Sequence, residues 1–208
     1  AKEDDNIKGI YYKSVTGGMG FAQAMEFQEA IKDFKESGKF VYAYFDMGSE
    51  YSYFNALPAD KIFMPREGFM ELNGFSITNL FMKDLFKKLG IEFHIQAWED
   101  YKSAAESFGR NSYSDSARYQ LRQILDQRYE NFTNALVGYR GMEKEKIDSA
   151  LDEGLYTAKS LKDNGFIDEY MTESDVKELM KEKAWEGDTE TKDDNKKLRL
   201  INIRNYYK

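Results

Sequence analysis

One lysine stands among small and apolar neighbours in the stretch YKSAAESF, Tyr101 to Phe108. A lysine acts as a general base only when it has shed its proton, and burial against apolar groups lowers its pKa from the usual value of about 10.4. Tyr101, Ala104, Ala105 and Phe108 are of the right type to wall in Lys102. Glu106 works the other way: in a helix it sits four residues on and favours the charged amine. On residue type alone, a solvated Lys–Glu pair is the commoner arrangement, and a general base is the sharper alternative.

Few other groups compete for a chemical role. The chain has no cysteine and a single histidine, which excludes a thiol nucleophile, a disulfide scaffold and a zinc finger. His94 alternates with apolar residues, so it reads as a polar-face residue; it supports neither a Ser-His-Asp triad nor a metal site. The loop TGGMG, Thr16 to Gly20, can turn backbone amides toward an anion or an oxyanion. It has neither the Lys-Ser/Thr pair of a P-loop nor the dinucleotide spacing, and a tight turn explains it equally well. Ser49 and Ser52 are nucleophiles by type, but both fit the start of a helix as capping or loop serines.

The elements that must position these groups follow from patterning. Two hundred and eight residues with 41% hydrophobic content can bury a real core. A net charge of −7 argues against a nucleic-acid partner, because phosphates require a basic face. No apolar run nears the roughly 20 residues of a membrane helix, no signal peptide is visible, and the charged opening AKEDDN reads as a cut edge. IKGIYY reads as a strand. Phe27, Ala30, Ile31 and Phe34 mark a helix ending at Gly38, and FVYAYF reads as a central strand. These three form a strand–helix–strand crossover. KIFM and FMEL are further strands, and Ile77, Leu80, Phe81 and Leu85 predict a helix capped at Gly90. IEFHIQAW, Ile91 to Trp98, reads as a strand that places Lys102 just past its C-terminal end, where sites gather in crossover folds. A long helix is expected over about 114–139, and a short one from near Glu143. Beyond these, a helical turn ends at Gly165, FID is a short strand, and a helix over 175–185 has Ser174 as N-cap. EGDTETKDDNKK reads as a solvated linker, and LRLINIRNYY as β-like.

Taken in order, four stretches resemble the N-terminal repeat of the long, two-repeat signal peptide peptidase A (protease IV) family, within the ClpP/crotonase superfamily. They are the opening crossover DNIKGIYYKSVTGGMGFAQAMEFQEAIKDFKESGKFVYAYFD, the strand pair ALPADKIFMPREGFMELNGFS, the lysine stretch YKSAAESFGRNSYSDSAR and the closing stretch LDEGLYTAKSLKDNGFIDEY. The last carries Gly154, Ala158, Gly165 and Asp168 where the superfamily has them. The resemblance implies an α/β, ClpP/crotonase-like fold of repeated strand–helix units with peripheral helices. It implies a repeat over 1–187, truncated at its start, followed by a linker and strand over 188–208 leading toward a second repeat.

The family's chemistry is a Ser/Lys dyad, with the lysine from this repeat and the serine from the other. Lys102 matches the general base. The family's nucleophile falls at Glu50 here, so no nucleophile is expected in this chain, and Gly17 and Gly18 match the oxyanion loop. The resemblance further implies cleaved signal peptides as substrates, no cofactor or metal, a homo-oligomer, and association with the extracytoplasmic side of the bacterial inner membrane through an anchor outside this chain. Two other functions stay open at this point. One is a non-catalytic scaffold repeat; the other is an acyl-CoA-processing enzyme, for which no placed pair of carboxylates is evident.

Overall fold

The computed structural model describes residues 1–13, 19–96, 98–188 and 196–207. The chain divides into two compact units, one of Ala1–Asn73 with Ala135–Lys208 and one of Gly74–Asn134.

The first unit is built on the expected crossover. Strand β1 (Gly9–Lys13) pairs in parallel with β2 (Phe40–Tyr44), in register from Gly9↔Phe40 to Lys13↔Tyr44. Helix α1 (Phe21–Lys35) connects them and buries Ala24, Gln28, Ile31 and Phe34; of the expected face, Ile31 and Phe34 are buried, Phe27 is half-buried and Ala30 is exposed. Gly38 takes a left-handed φ of +77° just after the helix, a conformation that costs glycine nothing. All five residues of β2 are buried, as befits a strand covered on both faces. Strand β4 (Lys61–Met64) lies on its far side, and β7 (Glu169–Tyr170) on β4, giving a parallel sheet of order β1-β2-β4-β7. A second sheet joins β3 (Met47–Ser49), β5 (Phe69–Leu72) and β6 (Gly154–Thr157), with β3 parallel and β6 antiparallel to β5. Helix α2 (Glu50–Ala56) starts directly from β3. Three more helices, α6 (Lys144–Glu153), α7 (Ala158–Asp163) and α8 (Glu173–Ala184), complete the surround.

One carboxylate ties this unit together. Asp168 Oδ2 accepts the Ile62 N–H of β4 at 2.7 Å and the Arg140 guanidinium at 3.0 Å. Two other nitrogens of Arg140 donate to the Gly165 carbonyl at 3.2 and 3.1 Å, so the end of helix α5 (Asp115–Arg140) is fastened to the turn before β7. Gly165 itself has a φ of +83°. The closing GFID stretch is thus a structural clasp, with charge-assisted hydrogen bonds at its centre.

Several elements depart from the sequence expectation. No strand forms over 91–96; the stretch finds no ladder partner, and its Phe93 packs instead on the rings of Phe86 (4.6 Å) and Phe108 (5.3 Å). The helix expected from Ile77 shortens to α3 (Lys83–Lys88), still closed by Gly90 at φ +69°. GLYT, expected as a helical turn, is strand β6, because β5 offers it an edge. The N-cap of α8 is Thr172, not Ser174: Thr172 Oγ1 accepts the Asp175 N–H at 3.2 Å and Asp175 answers with a hydrogen bond from the Thr172 hydroxyl at 2.8 Å. The β-like tail has no strand over 196–202 and ends in helix α9 (Ile203–Tyr206), capped by Asn202. Residues 189–195 of the expected linker lie outside the described residues.

The second unit carries α3, α4 (Glu106–Gly109) and most of α5. It gathers an aromatic cluster that is only partly buried: the rings of Phe86, Phe93 and Phe108 meet one another, with Phe93 and Phe108 still exposed, and Phe81 stands edge-on to Tyr113 at 5.0 Å. A backbone bond from Met82 N–H to the Ser107 carbonyl at 2.7 Å joins the two short helices.

Two predictions follow from these contacts. Asp168→Ala leaves the Ile62 amide and Arg140 without their acceptor, and should cost about 1–3 kcal/mol in urea unfolding. Asp168→Asn should lose less. Glu173 receives the ammonium groups of Lys13 and Lys177, which hold its carboxyl down at about 2. A pKa depressed on folding contributes stability above the ordinary carboxylate value of about 4.5 that is lost as pH falls toward 2. Solvent screens the pairs, so Glu173→Gln should flatten that acid limb by no more than about 1 kcal/mol.

Candidate functional site

Lys102 lies in a turn of the second unit, between Tyr101 and the start of α4. Its side chain is exposed, and among the described residues it has no ion-pair partner. The backbone leading to it is unusual. Glu99 and Tyr101 both take left-handed φ values, +66° and +71°, which cost a side-chain-bearing residue about 1 kcal/mol or more each. Neither is a glycine or an asparagine, so the sequence gives no sign of this turn. The ring of Phe108 belongs to the aromatic cluster beneath, whereas Trp98 and Tyr101 point their apolar surface to solvent, 80% and 53% exposed.

The expected Lys102–Glu106 pair does not form. Residues 102–105 are not helical, so the four-residue spacing brings no side chains together. Glu106 is committed elsewhere: its carboxylate accepts the Ser114 N–H at 2.9 Å. Partial burial works against its charge, but the bonds from Ser114 and the nearby Arg110 outweigh it and hold the carboxyl below the usual range. Glu106 therefore organises the turn before α5 and leaves the amine alone.

The first unit holds the other candidates. Ser49 caps α2, and the Ser52 hydroxyl accepts its N–H at 2.9 Å and donates to its carbonyl at 3.0 Å. Both serines are thus engaged in starting the helix, as the capping reading expects. Glu50, between them, is 6% exposed and accepts a hydrogen bond from the Asn73 N–H. A buried carboxylate at the first position of a helix is unexpected from sequence, where charge signals surface. Gly17 and Gly18 lie outside the described residues. His94 is exposed. No group of three or more acidic or histidine side chains gathers to hold a metal among the described residues.

Lys102 is thus an exposed lysine without an ion-pair partner among the described residues, and Ser49 and Ser52 are both engaged at the start of α2. The chain belongs to peptidase family S49, whose model matches residues 33–186. It is 32% identical over 165 residues to Protease 4 of Haemophilus influenzae, covering 79% of this chain and 27% of that protein. It is 30% identical over 197 residues to Protease 4 of Salmonella typhi, covering 89% and 32%. To the chloroplastic serine protease SPPA of Arabidopsis thaliana it is 27% identical over 183 residues, covering 88% and 27%. The chain thus spans about a third or less of the length of these relatives. Among solved structures, ClpP1 from Listeria monocytogenes is similar with a TM-score of 0.42 at 10% identity, covering 83% of this chain and 95% of that one. An enoyl-CoA hydratase/isomerase from Marinobacter aquaeolei is similar with a TM-score of 0.41 at 10% identity, covering 82% and 50%.

Because Lys102 is exposed and unpaired among the described residues, Lys102→Ala should leave the fold intact. Its unfolding free energy should stay within about 0.5 kcal/mol of the parent chain in urea titration.

Proposed function

We propose that this chain is the lysine-bearing repeat of a Ser/Lys serine endopeptidase, with Lys102 as general base and the nucleophilic serine supplied by a second repeat of the same protein. The observation that carries the reading is the state of Lys102 itself: an exposed amine with no ion-pair partner among the described residues, close in sequence to the exposed Trp98 and Tyr101. A paired lysine is held charged, whereas burial of an unpaired one against apolar side chains favours loss of its proton. Leu80, Leu89 and Trp98 of the same unit leave large apolar surfaces open to whatever covers it. Covering by the second repeat would both depress the pKa of Lys102 and bring a serine hydroxyl to its Nζ. The lysine would then take the hydroxyl proton as the oxygen attacks a peptide carbonyl, and return it to the leaving amine.

Glu50 supports the division of labour. It stands where the family's second repeat carries the nucleophile, and a carboxylate hydrogen-bonded to the backbone attacks no carbonyl. The substrates are proposed to be signal peptides already released from their proteins, cut within their apolar segment. Assembly as a homo-oligomer at the extracytoplasmic face of the bacterial inner membrane is part of the same proposal. Attachment through a segment outside this chain belongs to the same proposal; no helix among the described residues is long and apolar enough to cross a membrane.

Two measurements test the reading. The isolated chain should fold and yet take up no serine-directed fluorophosphonate label; stoichiometric labelling would refute it. In the full-length protein, Lys102→Ala should lower kcat by at least about a thousandfold. Lys102→Arg should not rescue, because a guanidinium keeps its proton at any working pH. Unchanged turnover in Lys102→Ala would favour a scaffold role.

A further inference from the structure

Asn55 sits in α2 and is 8% exposed, yet its side-chain oxygen has no hydrogen-bond partner among the described residues. The other buried polar side chains of the described residues have partners. Gln28 donates to the Phe54 carbonyl, Glu50 accepts the Asn73 N–H, and the Thr133 hydroxyl donates to the Glu130 carbonyl at 3.1 Å. Buried polar atoms are nearly always paired, so an orphaned oxygen calls for a donor from outside the described chain. Beside it lies a small cavity of about 10 Å³, room for the centre of one water. Tyr12 of β1, Phe27 and Ile31 of α1, Val41 of β2, and Asn55 and Ala56 of α2 line it, all within the first unit. We propose that this cavity is a binding site for a single ordered water, held between the Asn55 amide and the Tyr12 hydroxyl.

The donors and acceptors balance. Burial pushes the Tyr12 phenol up, and a hydrogen bond with Asn55 offsets part of that rise. An interaction that favours a phenolate comes from a donor, so the N–H group of the Asn55 amide serves Tyr12 and the amide oxygen is left over. A phenol that accepts one hydrogen bond still has its own proton to give, and a water can both take that proton's bond and donate onward. The three groups close a ring: the Asn55 N–H donates to Tyr12 Oη, the Tyr12 O–H donates to the water, and the water donates to Asn55 Oδ1. Members of such a ring polarise and strengthen one another in a low-dielectric interior. A cavity of this size lined by apolar groups alone stays dry; the orphaned oxygen and the phenol are what make water its occupant. The ring joins β1 to α2 beneath α1, and the apolar side chains of α1 and β2 close it off from solvent.

The test is a crystal structure of the full-length protein at a resolution that shows ordered water. It should show one water in the cavity, within about 3 Å of both Asn55 Oδ1 and Tyr12 Oη. A cavity without density would overturn the site, and so would a dry one in which the amide is turned and the Tyr12 hydroxyl donates straight to Oδ1. Two variants in the same crystals assign the partners. Tyr12→Phe removes the hydroxyl and should lose the water; a water that stays at full occupancy would overturn the part given to Tyr12. Asn55→Leu replaces the amide with an apolar group of similar size and should leave the cavity dry. A water that persists there would overturn the part given to Asn55. If either variant fails to fold, the density in the parent protein decides the proposal by itself, because both contacts are read from it directly.

Discussion

Asp168 is a single carboxylate asked to serve three elements, and the first unit depends on its doing so. It accepts the backbone of β4 through Ile62 and the guanidinium of Arg140 at the end of α5. Arg140 in turn caps the Gly165 turn. The parallel sheet has its last strand, β7, only two residues long, too short to hold a sheet edge by its own ladder. The clasp supplies what the ladder lacks. Chain segments more than a hundred residues apart in sequence are joined here, which is why a Gly-x-x-Asp stretch near the end of the repeat matters to strands laid down near its beginning.

How much of this was legible in the sequence varies by element, for physical reasons. The opening crossover was plain, because α1 shows its apolar face at helical spacing and β2 is apolar throughout. Strand β6 was not, since GLYT becomes a strand only through its partner β5, which no local pattern announces. The reverse error occurred at 91–96, where clean alternation of Ile, Phe and Ile met no partner and formed no strand. Alternation specifies which face a strand would bury, not that a neighbour exists to pair with it. For the candidate site, Lys102 was singled out by resemblance, and the pair with Glu106 does not form, since residues 102–105 are not helical and the turn before them has left-handed residues at Glu99 and Tyr101. Glu50 showed itself only in three dimensions, as burial and a backbone hydrogen bond.

On the proposed reading, this family S49 chain supplies the lysine and a second repeat supplies the nucleophile, so that one reaction would be divided between two halves of a protein. The division has a physical logic. An amine that met a carboxylate within its own repeat would stay charged; here the neighbouring carboxylate, Glu106, is spent on Ser114. The amine is left for an apolar surface to cover, so its basicity would appear only when the halves come together. Such an arrangement would tie activity to assembly, because on this proposal neither half is chemically competent alone.

The account stands most directly on one distance, measured in a structure of the full-length protein with its second repeat in place. It predicts Lys102 Nζ within about 3 Å of a serine Oγ from that repeat, enclosed by apolar side chains and without a carboxylate partner. A Lys102 that remains in solvent, or that is paired with an acidic side chain and separated from every serine by more than one water, would contradict it.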